Sequence, residues 1–146
     1  MLRLRKMEEK DSSKIAQLEQ EIFSDAWTKA GVEGTWRQSH AFIVAAEEEH
    51  ELIGYCIVYY VLDEAEIARL AVAKNYRRVG AGRSIMDKTE QICREKGVER
   101  VLLEVRESNE TARKFYLNYG FSEDGIRKNF YTEPVEDAVL MSKSIR

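Results

Sequence analysis

Cysteine, histidine and proline are scarce: two, two and one in 146 residues. Cys56 and Cys93 have no metal-type spacing, so both read as reduced packing residues. His40 and His50 lack a cluster of ligand-type neighbours and read as surface residues. No metal is therefore expected. No uninterrupted apolar run approaches the roughly 18 residues a membrane span requires. The first residues, Met1 to Lys6, alternate and carry no apolar signal region. These absences favour the cytoplasm and no membrane partner. Pro134 stands alone, and there is no low-complexity segment or internal repeat. No linker is expected, and residues 1–146 read as a single domain.

The chain is rich in ordinary globular material, with 44 % hydrophobic and 34 % charged residues, too apolar for a disordered chain. Its net charge of −3 argues against a general polyanion binder, so any basic site must be local.

Periodicity supplies the element order. Leu2 to Met7 alternates as a short strand. Asp11 is placed to cap a helix with Ile15, Leu18 and Ile22 on one face. A second short helix is expected from about Thr28 to Gln38, weakened by Gly31 and Gly34. Ala41 to Ala46 forms a strand, Glu47 to His50 a solvated polar turn, and "ELIGYCIVYYVL" the returning strand. "EAEIARLAV" adds a third, with Ile67, Leu70 and Val72 as apolar positions. A helix follows over Ser84 to Lys96, with Ile85, Thr89 and Ile92 along one side and Gly97 stopping it. "RVLLEVR" reads as a buried strand. Ser108 or Asn109 caps a helix bearing Ala112, Phe115, Tyr116 and Tyr119, which Gly120 ends. Two strands finish the chain. The order βααβββαβαββ is mixed α/β, a mostly antiparallel sheet flanked by helices, with one strand-helix-strand crossover.

Between the third strand and the helix after it lies "NYRRVGAGRS", residues 75 to 84. The first N–H groups of a helix lack internal partners and sit at the positive end of its dipole. Glycines allow close approach of backbone to an anion, and arginines add charge-assisted contacts. A phosphate cradle, a nucleic-acid contact and a solvated helix start all fit this turn. A P-loop is excluded because Arg83 follows Gly82 where lysine is required. A dinucleotide fingerprint is weak, since its third glycine position is Ile85. The acidic total and the lack of a basic-aromatic stripe argue against nucleic acid.

The turn has company. "LAVAKNYRRVGAGRSIM" followed by "LLEVRESNETARKFYLNYGF" resembles the GCN5-related N-acetyltransferase superfamily. The superfamily pattern Q/R-x-x-G-x-G/A appears as Arg77-Arg78-Val79-Gly80-Ala81-Gly82. The chain resembles more narrowly the bacterial ribosomal-protein alanine N-acetyltransferases, through "VLDEAEIARLAV", "LEVRESN", "KFYLNYGF", "RKNFY", "EDAVLM" and "IFSDAWT". Where proline is frequent before the tryptophan of that last segment, Ala26 precedes Trp27.

The resemblance implies acetyl-CoA as cosubstrate. It implies that Arg78, Val79, Gly80, Ala81, Gly82 and Arg83 hold the pyrophosphate, that the Leu70-Ala71-Val72 backbone runs beside the pantetheine, and that Asn109 contacts the coenzyme. It further implies Glu104 as general base and Tyr116 as general acid. A free α-amino group has a pKa of about 8 and is mostly protonated at neutral pH. A carboxylate at a strand end can take its proton, and a tyrosine can protonate the departing thiolate. Alternatives for these residues are a surface carboxylate or a pair with Arg106 for Glu104, and a core aromatic for Tyr116, with Tyr119 as rival. Asp63, Glu64 and Glu66 could attract a cationic amine or simply solvate a strand start. Phe130 and Tyr131 could wall a peptide groove. The expected function is acetylation of a protein N-terminal α-amine, on a ribosomal protein. A lysine or small-molecule acetyltransferase and a non-catalytic acyl-CoA-binding module are the alternatives.

Overall fold

A computed structural model describes residues 1–77 and 79–146. Arg78 lies outside the described residues. The elements are β1 (Leu2–Lys6), α1 (Ser12–Ile22), α2 (Lys29–Trp36), β2 (Ala41–Glu48), β3 (Glu51–Val61), β4 (Glu64–Val72), α3 (Ala81–Glu95), β5 (Arg100–Arg106), α4 (Glu110–Tyr119), β6 (Ser122–Thr132) and β7 (Val135–Ser144). This is the expected order. The seven strands form one sheet, β1-β2-β3-β4-β5-β7-β6, antiparallel except where β4 meets β5.

Strands β2 and β3 are apolar on both faces because helices cover both. Val44, Cys56, Ile85, Met86 and Leu103 belong to the core under α3 and α4. Ile15, Leu18, Val32, Ile43 and Tyr55 belong to the core under α1 and α2. Complete burial of an aliphatic side chain is worth about 2 kcal/mol over exposure, so these residues fix which helix lies on which face. Gly54 shows how tightly the layers meet: a Cβ there would lie 2.8 Å from the Ala71 carbonyl oxygen and 2.9 Å from Ile85 Cδ1.

Several local readings are corrected. Helix α3 begins at Ala81, not Ser84, because Gly80 takes the left-handed N-cap position at φ +84°. Ala81, Gly82 and Arg83 are therefore its first turn and not loop. Asp11 does not cap α1 through its side chain; its carboxylate accepts from the Glu8 N–H at 2.7 Å and from Arg5 at 2.6 Å. Glu47 is no solvated turn residue either. It is a largely buried end of β2 that accepts from Arg3 and Arg5, leaving Glu49 and His50 as the turn, both at positive φ. Of the two caps considered for α4, Asn109 is the one used: its Oδ1 accepts from the Ala112 N–H at 3.1 Å.

The site is positioned by what happens to β4. Its parallel pairing with β5 runs only from Glu64 to Glu66 against Arg100 to Leu102. On its other side, Ile57 pairs with Arg69 and Val58 with Ile67, so Ala68 is an extra residue. Such a bulge bends its strand and reverses the alternation of its side chains. Ala65 and Ile67 face the α3–α4 core, whereas beyond the bulge Leu70 and Val72 take that face. Arg69 and Ala71 are turned to the α1 side. Strand β5 stays paired with β7 along its whole length, so the parting of β4 and β5 leaves an opening in the sheet.

Candidate active site

A cleft of about 340 Å³ fills this opening. Ile67 to Leu70 line it from β4 and Leu103 to Arg106 from β5. Asn109, Ala112 and Tyr116 close one end from α4, while Phe23, Asp25, Phe130 and Tyr131 flank the other. Glu104, Tyr116, Asn109 and Leu70, all implied by the resemblance, thus share one cavity, whereas Ala71, Val72 and the residues from Val79 to Arg83 do not line it.

Glu104 keeps 24 % of its side chain exposed. Burial, reinforced by the negative charge of Glu66, raises its pKa above the ordinary carboxylate value, against the pull of Arg127. The Arg127 guanidinium is 3.9 Å away, too long for a close ion pair. Pairing with Arg106 does not occur, since that guanidinium donates to Glu136 and to the carbonyls of Glu133 and Pro134. Behind Glu104 lies a second groove of about 470 Å³, floored by Leu102 and Leu140. Glu66 and Glu104 border both cavities.

Tyr116 is buried between Phe115 and Phe121, with ring centroids 5.2 and 5.4 Å away. Burial pushes its phenol well above the usual range, so it stays protonated. The two tyrosines of α4 differ in what holds them. The Tyr119 hydroxyl donates to Asp87 at 2.5 Å, its ring stacks on Phe115, and it does not line the cleft.

Toward α3, Gly80 has open space around the position of a missing Cβ, while a Cβ on Gly82 would meet the Phe115 ring at 3.2 Å. Gly80 thus serves the turn and Gly82 the packing of α3 on α4. Among the described residues, no side chain caps α3. Val79 and Arg83 are exposed, and Ala81 is buried. From Ile67 to Val72, β4 pairs with β3 alone among the described residues, and Ile67 to Leu70 of this stretch line the cleft. At its end, Arg77 Nε donates to the Val72 carbonyl at 3.0 Å.

The opposite end depends on residues that the sequence did not single out. Glu19 on α1 is completely buried and accepts three hydrogen bonds: from the Tyr55 hydroxyl at 2.6 Å, the Trp27 N–H at 2.9 Å and Arg69 Nε at 3.2 Å. Arg69 Nη2 donates to the carbonyl and the carboxylate of Asp25, each at 2.8 Å, and its guanidinium lies 4.0 Å over the Phe23 ring. Arg106 does the matching work on β5, holding the β6–β7 turn and stacking 4.3 Å over Tyr131. Ser24 Oγ donates to the Glu133 carbonyl at 3.3 Å and ties the two loops together. Tyr131 is pushed up to about 12, first by burial and then by the charge of Glu104. The signal for Arg69 was present in the apolar positions Ile67, Leu70 and Val72, whose odd-to-even slip marks the bulge.

Among the described residues, no group of three or more His, Cys, Asp or Glu side chains is placed to hold a metal ion. No helix among them is long and apolar enough to cross a membrane.

The arrangement has known counterparts. A [ribosomal protein bS18]-alanine N-acetyltransferase from Haemophilus influenzae is 33 % identical over 135 residues, covering 90 % of this chain and 91 % of its own. The crystal structure of the ribosomal-protein-S18-alanine N-acetyltransferase from Escherichia coli superposes with a TM-score of 0.90 at 28 % identity, over 99 % of this chain and 94 % of that one. A GNAT family acetyltransferase from Elizabethkingia anophelis, whose structure has acetyl-CoA bound, shares the fold with a TM-score of 0.79 at 18 % identity, over 99 % and 98 % of the two chains. Residues 11–121, which run from just before α1 to just past α4 and include both β4 and β5, match the Acetyltransferase (GNAT) family. The chain belongs to that family and is an acyltransferase.

Proposed function

We propose that the protein acetylates the N-terminal α-amine of a polypeptide with acetyl-CoA, using Glu104 as general base and Tyr116 as general acid. The observation that carries this reading is the one cleft that both side chains line, flanked by α4 and by the two loops. The names of the relatives favour the terminal alanine of ribosomal protein bS18 as the acceptor. Such a substrate agrees with the cytoplasmic location expected from the sequence and calls for neither nucleic acid nor membrane.

Acetyl-CoA supplies an acetyl group activated on a thiol leaving group. The residues fit that molecule. The α3 N-terminus, entered through the left-handed Gly80 and without a side-chain cap among the described residues, offers N–H groups and a positive dipole end to a pyrophosphate. We assign this role to Val79, Gly80, Ala81, Gly82 and Arg83, together with Arg78. The edge of β4 past its pairing with β5, at Leu70, Ala71 and Val72, is the stretch we assign to an extended, amide-bearing chain. Asn109 has its Oδ1 engaged in the cap, which leaves its amide NH2 for the coenzyme.

The acceptor must attack as the neutral amine. Its pKa of about 8 lies well above that of an ordinary carboxylate. Raising the Glu104 pKa narrows this gap and improves proton transfer. The groove behind Glu104 gives the proton a way out to solvent. On the far side, Tyr116 holds its proton at any working pH, and no described residue engages its hydroxyl. The apolar surroundings that raise this phenol also make a thiolate formed there more basic, which keeps donation feasible.

The test is steady-state kinetics with an alanine-terminated peptide. Glu104→Gln and Tyr116→Phe each lower kcat by about 100-fold, while the Kd for acetyl-CoA stays within about twofold. Unchanged rates in both variants would remove the assigned roles.

A further inference from the structure

We propose that Arg69 is a positioning residue for the acceptor, acting through a strut that runs from buried Glu19 to the loop bearing Phe23 and Asp25. This inference rests on the proposed function, with the acceptor entering between that loop and the β6–β7 turn, where Phe23, Asp25, Phe130 and Tyr131 line the cleft.

Four observations converge on the strut. The Ala68 bulge is what turns Arg69 toward α1; regular alternation would have sent it into the α3–α4 core with Ile67. Its anchor, Glu19, has no exposed surface, and its carboxylate is shared by donors from β3, β4 and the loop itself. The free end of the guanidinium grips the loop twice at Asp25 and covers Phe23. Finally, Phe23, Asp25 and Arg69 all line the cleft that Glu104 lines. A loop held by a buried charge at one residue and a forked donor at another has little freedom, so the wall it presents is set before the acceptor arrives. Arg106 fixes the facing turn in the same way, and the Ser24–Glu133 bond joins the two sides. The width of the acceptor entrance is thus set by two arginines from the strands that bound the opening. None of these contacts touches α3 or the Gly80 turn.

The consequence is separable. Loosening the strut should weaken use of the acceptor and spare acetyl-CoA. Two variants are compared with wild type: Arg69→Lys, which keeps the charge but loses the fork, and Glu19→Gln combined with Arg69→Met, which severs the strut without stranding a buried charge. The acceptor is an alanine-terminated peptide, and backbone hydrogen exchange is followed at Trp27. The expected result is an acceptor KM raised about tenfold or more in the double variant, with the acetyl-CoA KM and kcat within about threefold. Arg69→Lys should fall between the two, and Trp27 exchange should quicken in step. An acceptor KM unchanged in the double variant, or both KM values rising together, overturns the proposal. Exchange at Trp27 needs no acceptor, so a wild-type protein that fails to acetylate the peptide counts against the proposed function, while unchanged exchange in the double variant counts against the strut.

Discussion

The two ends of the cleft are built from different materials. The side toward α3, just beyond the residues that line the cleft, relies on backbone: a left-handed glycine, a helix start with no side-chain cap among the described residues, and the edge of β4 past its pairing with β5. The loop end relies on side chains: a buried carboxylate and two arginines that hold two loops in place. Backbone groups present the same donors whatever side chains surround them, which suits a cosubstrate common to many enzymes. A side-chain network changes with single substitutions, which suits an end that must choose its acceptor. One fold can therefore keep its acyl donor while its acceptor varies.

This contrast can be broken from either end. The largest stability effect is expected from Glu19→Ala, which strands Arg69, the Tyr55 hydroxyl and the Trp27 N–H together. Removing one partner of a buried pair costs about 3 kcal/mol or more, read as a fall in Tm. On the donor side, Gly54→Ala forces a methyl group against the Ala71 carbonyl and Ile85. Overpacking of this kind costs about 2 kcal/mol, and because it displaces β4 it should also weaken acetyl-CoA binding, measured by calorimetry. Gly80→Ala meets no steric obstacle but must hold φ at +84°. It should cost about 1 kcal/mol and lower acetyl-CoA affinity more than acceptor affinity.

The smallest effect is a shift along the pH axis. In the proposed role Glu104 must be deprotonated, so the rate should fall as pH drops through its raised pKa. Glu66→Gln removes a neighbouring negative charge, lowers that pKa and moves the acid limb of kcat/KM to lower pH. Arg127→Gln removes the opposing cation and moves the limb to higher pH. A limb that stays in place in both variants would show that another group sets it.

The same contrast governs what could be read in the sequence. Element order followed from periodicity, and the donor end is local: the glycines, the helix start and the Asn109 cap lie within a few residues of one another. Glu104 and Tyr116 were named through the resemblance of the runs around them, and both line the cleft. At the loop end Phe130 and Tyr131 were legible as a wall, but the network behind them was not, since Glu19 and Arg69 stand 50 residues apart and each alone looks like a surface charge. Only the slip from Ile67 to Leu70 betrayed the bulge that joins them. Helix α3 was placed three residues late because glycines near a helix start look like loop; one of them makes the turn, and the other makes room for Phe115. Glu47 was misplaced for a related reason: its partners, Arg3 and Arg5, come from the distant edge strand.

The central claim is that the cleft joins acetyl-CoA to a polypeptide α-amine. Mass spectrometry tests it most directly, with fragmentation of the product formed from acetyl-CoA and an alanine-terminated peptide that also contains lysine. The predicted result is one acetyl group on the α-amine, greatly reduced with Glu104→Gln. Acetyl found only on the lysine side chain, or none transferred to the peptide, would contradict the account.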